Sequence, residues 1–118
     1  MSTGNTDGQL IAAPPTCPGD TFTFSCTVTG DSNGDTLWRA GGGGACLLEH
    51  MNTGDSDTCG PGDVFTAMLE STSPTSFPST LSGTATAALD GTLVECFGPL
   101  LSTDAGNRVG NHTLQIVG

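Results

Sequence analysis

The chain has 118 residues, room for one domain and too little for two with cores of their own. Twelve acidic residues stand against two basic ones, Arg39 and Arg108, for a formal net charge of -10, which excludes the basic footprint of a nucleic-acid binder and disfavours binding to anionic membranes by charge alone. No apolar run is long enough to cross a bilayer, and 18 Gly with 19 Thr and 10 Ser point to strands and turns rather than helices.

Residues 1–8 read as a flexible polar tail without the apolar stretch of a secretory leader, and residues 9–118 as a single domain. Residues 9–13 form a short first strand, stopped by Pro14 and Pro15. In residues 20–29, Phe22, Phe24, Cys26 and Val28 alternate with Thr and Ser, the period of a strand with one buried and one wet face. Residues 30–34 make a turn, and Leu37, Trp38 and Arg39 sit on a second long strand. The glycine run 41–44 allows close backbone approach. Strands are expected over 45–51 and 64–70, separated by a Gly- and Asp-rich loop, 52–63, that contains Cys59. Residues 71–79, with two prolines, should be irregular or extended. A strand over 80–89 places Leu81, Ala85 and Ala87 on one face, and Asp90-Gly91 forms a tight turn. Residues 92–97 carry Cys96 on a strand, 98–107 form a loop, and 108–117 form the last strand. Short strands with turn signals roughly every 8–12 residues describe a β-sandwich or barrel.

Five cysteines, Cys17, Cys26, Cys46, Cys59 and Cys96, fit two disulfides and one leftover thiol in an oxidising compartment. Zinc is the alternative use of cysteine, but no CxxC pair occurs, and Cys46 with His50 is the one close spacing.

Trp38 follows Cys26 by 12 positions and Cys96 follows it by 70. Together with GDTFTFSCTVTG (19–30), TLWR (36–39), ALDGTLVECFGP (88–99) and VGNHTLQIVG (109–118), this pattern resembles the immunoglobulin superfamily. It is similar to the immunoglobulin-like modules of receptor- and adhesion-type ectodomains in early-branching marine animals such as sponges. The resemblance spans residues 19–117 and implies an all-β, immunoglobulin-like Greek-key sandwich of about seven to nine antiparallel strands. It further implies a Cys26–Cys96 bridge between the sheets, with Trp38 packed against it in a core shared by Phe22, Phe24, Leu81 and Val94. Two features depart from the family. Val94 stands where a tyrosine corner is expected, and Asp90 has no arginine within 64–70 to pair with, so that end of the sandwich must be held in another way.

The residues support the first bridge independently, because Cys26 and Cys96 both lie on strands with inward alternation, and closing so long a loop is worth about 4 kcal/mol. Cys46 and Cys59 flank a short loop and can pair locally, for about 3 kcal/mol, stiffening one edge. Three readings then stand for Cys17, in its Pro-Pro-Thr-Cys-Pro context: an inert buried thiol, a link to another chain or module, or a reactive thiol. Trp38 likewise has an alternative as a surface binding aromatic.

Asn111-His112-Thr113 is an N-glycosylation acceptor, and residues 71–80 carry the Ser/Thr/Pro bias of O-glycosylated segments or of a plain solvated loop. Asp31, Asp35, Asp55 and Asp57 offer oxygens at alternate positions, a spacing calcium uses, but neither stretch has the Gly and Glu of an EF-hand loop, so no metal ligand set is assigned. His50 and His112 are the two bases near neutral pH, and no nucleophile, metal or phosphate-loop motif accompanies them. The expectation is a non-enzymatic extracellular module without cofactor, for adhesion or recognition. It would bind a protein or glycan partner, or copies of itself, through loops (30–35, 41–44, 98–107) or a sheet face, with no nucleic acid and no membrane insertion. The alternative is a self-assembling subunit of an extracellular fibre or matrix, using strand addition at residues 9–13 and Cys17 crosslinks.

Overall fold

The computed structural model describes residues 8–29, 34–42, 44–51, 54–70, 76–100 and 108–117. Among them run nine strands: β1 (Gly8–Ile11), β2 (Thr21–Thr29), β3 (Asp35–Ala40), β4 (Cys46–Glu49), β5 (Ser56–Cys59), β6 (Phe65–Leu69), β7 (Ser76–Thr84), β8 (Leu93–Leu100) and β9 (Arg108–Thr113). They form two antiparallel sheets, one ordered β1-β2-β7-β6-β5 and the other β4-β3-β8-β9. The sheets pack face to face, and the all-β sandwich expected from the alternation is the fold.

The core is the sum of the inward residues of both sheets. In β2, Phe22, Phe24, Cys26 and Val28 are buried while the intervening residues face outward. Trp38, Leu81 and Val94 are also buried. The Phe22 ring lies 5.4 Å from Phe65 and 6.2 Å from Phe24, centroid to centroid, the separations of favourable aromatic pairs. At the centre four residues close a circuit across the sheets. Cys26 is bonded to Cys96, and Cys96 stands opposite Trp38 in the β3–β8 register. The Trp38 indole N–H donates to Ser79 Oγ at 2.9 Å. Ser79, opposite Cys26 in the β2–β7 register, donates in turn to the Cys26 carbonyl at 3.3 Å. The one polar group of the indole is thereby satisfied inside the core.

Contacts between the sheets tie both open sides of the sandwich. After β1, Pro14 and Pro15 have no N–H with which to extend the ladder to β2, and the chain crosses to the other sheet. Thr16 makes a parallel bridge to Ile116, with Thr16 N donating to Gln115 O (3.0 Å) and Val117 N to Thr16 O (2.9 Å). Leu10 of β1 packs onto Gly110 of β9, where a Cβ would stand 2.8 Å from the Leu10 Cβ. On the opposite side Cys46 of β4 is bonded to Cys59 of β5, with Cα atoms 5.1 Å apart, and Gly44 bridges Gly60. Gly60 needs to be glycine: its φ is 82°, and a Cβ would meet the Phe65 ring at 2.5 Å. At the end of the sandwich near the 3₁₀ turn, Asp90 Oδ1 accepts from Ile116 N (2.9 Å) and Thr92 Oγ1 donates to Leu89 O (2.7 Å). Backbone bonds Gly91 N to Leu114 O and Leu114 N to Thr92 O complete that end.

The structure corrects several boundaries. The loop expected over 52–63 contains β5, paired to β6 from Ser56↔Met68 to Cys59↔Phe65. Its sequence SDTC shows no apolar alternation because only Cys59 faces the core. The Cys46–Cys59 bridge therefore joins the two sheets instead of pinning a local loop. Of residues 71–79, expected to be irregular or extended, residues 76–79 are extended and begin β7. Pro78 fits a strand between two neighbours because its carbonyl accepts from Glu70 N (2.8 Å) just past the end of β6, so its missing N–H falls where that ladder stops. The strand expected to reach residue 89 ends at Thr84, and Ala87 is exposed in a 3₁₀ turn, Ala87–Leu89. β8 runs into the expected 98–107 loop as far as Leu100, with a bulge against β3 where Pro99 cannot donate to a ladder. The first strand begins at Gly8 and ends at Ile11, and residues 1–7 of the expected tail lie outside the described residues.

Because both bridges span the sheets, each resists their separation. Replacing Cys26 and Cys96 together by Ala should lower unfolding free energy by about 4 kcal/mol, and replacing Cys46 and Cys59 by about 3 kcal/mol, read by urea denaturation under oxidising conditions. An unchanged midpoint for the second variant would contradict its role as a cross-sheet closure.

Candidate recognition surface

The outward residues of the four-stranded sheet are set by the same alternation that fills the core. On β3 these are Asp35, Leu37 and Arg39, between buried Thr36, Trp38 and Ala40. Registers place Leu37 opposite Leu47 of β4 and Phe97 of β8. The three side chains form an apolar row across three strands, with Leu47 42 % exposed and Leu37 and Phe97 half-buried. On one side of the row stand Asp35 and its partner Glu49. On the other, Arg39 faces Glu95, which in turn faces Asn111 of β9.

Glu95 holds both basic side chains of the protein. Arg39 Nε and Nη2 each reach Glu95 Oε1 at 3.0 Å, and Arg108 Nη1 reaches Oε2 at 3.2 Å. The carboxylate is 9 % exposed while the two arginine side chains are about half exposed (49 % and 52 %), so the guanidinium groups cover the acid. Arg39 also lies over the Phe97 ring, 5.0 Å from its centroid, shielding one end of the apolar row. Arg108 comes into reach through a bulge in β9: between Cys96↔Gly110 and Phe97↔Arg108 the strand carries one extra residue, Val109, which packs on the core.

Acidic groups gather at the β3–β4 end. Burial raises the pKa of Asp35, the carboxylates of Glu49 and Asp55 raise it further, and His50 works in the opposite direction. The alternate aspartates have a backbone use. Asp57 Oδ2 accepts from Leu47 N (3.0 Å) and Asp55 Oδ2 from Glu49 N (2.9 Å), while Asp57 Oδ1 accepts from Thr58 N (2.9 Å). These carboxylates take the donors along the outer rim of β4, which a strand edge otherwise offers to any passing chain. The spacing Asp55-x-Asp57 was visible in the sequence as oxygen ligands; that it caps a strand three-dimensionally adjacent was not. No group of three His, Cys, Asp or Glu side chains is placed to hold a metal ion among the described residues, and Asp31 lies outside them.

His50 is buried, stacked on Phe77 with centroids 3.9 Å apart, and its Nε2 lies 2.6 Å from Thr36 Oγ1. His112 is exposed on β9 near Phe24, at 6.3 Å. The two histidines thus belong to different sites. Asn111 and Thr113 are exposed, as is Cys17, whose thiol is free. No pocket is formed among the described residues. Of the expected contact loops, residues 30–33, 43 and 101–107 lie outside the described residues, as do 71–75 of the Ser/Thr/Pro stretch.

Two predictions follow from the charges. Asp35 binds its proton more readily in the folded chain than in the unfolded one, so its contribution to stability is fully present at low pH. That contribution fades as pH rises from the ordinary value of 3.8 through the raised folded value. Asp35→Asn should therefore melt higher than wild type at pH 7 and level with it near pH 3; a variant no more stable at pH 7 contradicts this. Glu95→Gln, which strands two guanidinium groups beside each other, should cost about 1–2 kcal/mol after allowance for solvent screening, and more than Arg39→Gln or Arg108→Gln alone. Thermal denaturation at low and high salt reads both the loss and its screening.

Compared with protein-family models, with curated proteins and with solved structures, the chain finds no match.

Proposed function

We propose that the chain is an extracellular immunoglobulin-like module that serves recognition or adhesion without catalysis, and that its contact surface is the outer face of the β4-β3-β8-β9 sheet. The observation that carries this reading is the apolar row Leu47–Leu37–Phe97, laid across a face whose two flanks are charged with opposite bias. An apolar centre bordered by polar groups is the layout of a protein-binding patch. The strand order and the Cys26–Cys96 bridge beside a buried indole support the immunoglobulin-like part. Two cross-sheet disulfides support a secretory route, since cytosolic thiols stay reduced, and no helix among the described residues is long and apolar enough to cross a membrane. Catalysis draws no support from His50, whose ring nitrogen is engaged by Thr36 within the core.

The fibre-subunit alternative draws on the exposed Cys17 thiol. Against it stands the first strand, which is held by four paired residues of β2 and by the contact of Leu10 with Gly110.

Light scattering with and without reductant and calcium separates the two readings: a recognition module stays monomeric in all conditions, and polymers that reductant or chelator dissolves would favour the fibre. Tetramerised chain screened against arrays of extracellular domains and glycans should find a binder. That binding should fall at least tenfold in a Leu37→Asp, Leu47→Asp variant whose melting temperature is unchanged. Equal binding by that variant would move the contact surface elsewhere.

A further inference from the structure

The acceptor Asn111-His112-Thr113 occupies the end of β9, the last strand of its sheet, with a strand neighbour on one side only. Asn111 and Thr113 are two residues apart on an extended strand, so the amide and the hydroxyl share a face, and both are exposed. His112 between them turns to the other side, toward Phe24. The register sets Asn111 opposite Glu95 and so on the outer face, beside the arginine-capped carboxylate.

The two sides of the sandwich differ in how their rims are treated. On the β4–β5 side, Asp55 and Asp57 take the free donors of β4 and a disulfide ties the strands together. On the β9 side the chain closes only at Gly110, under Leu10, and again at Ile116, under Thr16. The segment from Asn111 to Thr113 lies between those closures and carries neither a charge nor a proline, the usual guards of an exposed edge.

We infer that Asn111 is an N-glycan attachment site and that its sugar covers the open rim of β9. The inference rests on the secretory-route reading above. The glycosyl donor is a lipid diphosphate-linked oligosaccharide. The Asn111 Nδ2–C1 bond forms as the bond from C1 to the diphosphate oxygen breaks; the diphosphate leaves with the electron pair, and one amide proton is lost. The product places a large hydrated group where a neighbouring chain would otherwise pair, and on the flank of the recognition face farthest from Leu47.

The chain is expressed behind a secretory leader in a eukaryotic cell line. Secreted and membrane-enclosed pools are both read by intact and peptide mass before and after peptide N-glycosidase. The expected result is one N-glycan, with aspartate at position 111 after enzyme treatment; Asn111→Gln and Thr113→Ala should lose it and Thr113→Ser should keep it. A bare Asn111 in chain whose two disulfides have formed overturns the site while leaving the fold untouched. Sugar on Asn111 of a chain that is never secreted upholds the site and counts against the secreted module instead. For the covering role, Asn111→Gln should gain mass with concentration by light scattering while the glycosylated chain stays monomeric; equal masses across the range overturn it.

Discussion

The bond between Cys26 and Cys96 decides which faces of β2 and β8 look at each other, and the rest of the molecule follows from that choice. A strand's side chains alternate, so a slip of one residue would exchange core for surface along its whole length. Here such a slip is blocked twice over. The disulfide sets β2 against β8, and the Trp38–Ser79–Cys26 hydrogen bonds set β3 against β7 and β2 at the same level of the core. The order that fills the interior with Phe22, Phe24 and Val94 is the same order that lays Leu37, Leu47 and Phe97 outward in a row. Core and candidate surface are two sides of one register.

Charge enters as a second constraint. With a net charge of -10 and two basic residues, the chain has almost nothing with which to neutralise its carboxylates. Both guanidinium groups are placed on Glu95, the carboxylate that the fold buries most among those described as paired. Asp55 and Asp57 are satisfied by backbone N–H groups, which need no cation. Asp35 is partly buried beside Glu49 and Asp55, and burial first and those carboxylates second raise its pKa. The result is a surface that repels its own copies except near one corner of one sheet.

How much of this was legible in the sequence depends on whether a residue's role is written in its own neighbourhood. β2 shows plainly, since its inward residues Phe22, Phe24, Cys26 and Val28 are apolar and alternate with Thr and Ser, and β8 is marked by Val94 and Cys96 on either side of Glu95. Strand β5 does not, because an edge strand that buries only Cys59 has nothing to alternate. The same holds for Pro78, whose tolerance within β7 depends on β6 stopping one residue short, a fact about another strand. At the candidate surface, Arg39, Glu95 and Phe97 lie on strands that the sequence marks well, but their meeting with Arg108 required the bulge at Val109, for which no local signal exists. The Asp55 and Asp57 spacing carried a real signal whose partner, the rim of β4, could be known only from the fold.

The treatment of the edges bears on what kind of molecule this is. A subunit that assembles by strand addition must have one edge that accepts a strand and one strand that can leave. The β4 rim is occupied by carboxylates, and β5 is tied to it by a disulfide. The strand that would leave, β1, is paired to β2 from Gly8 to Ile11, and the chain just beyond it is bridged to Ile116. Freeing β1 would break that ladder and expose both Leu10 and the glycine surface that receives it. The outer face of the second sheet and the short stretch of β9 that carries the glycan acceptor stay accessible. A scaffold that closes all but a short stretch of its edges and leaves a face open suits side-on contact through side chains, which supports the proposed recognition module over the fibre subunit.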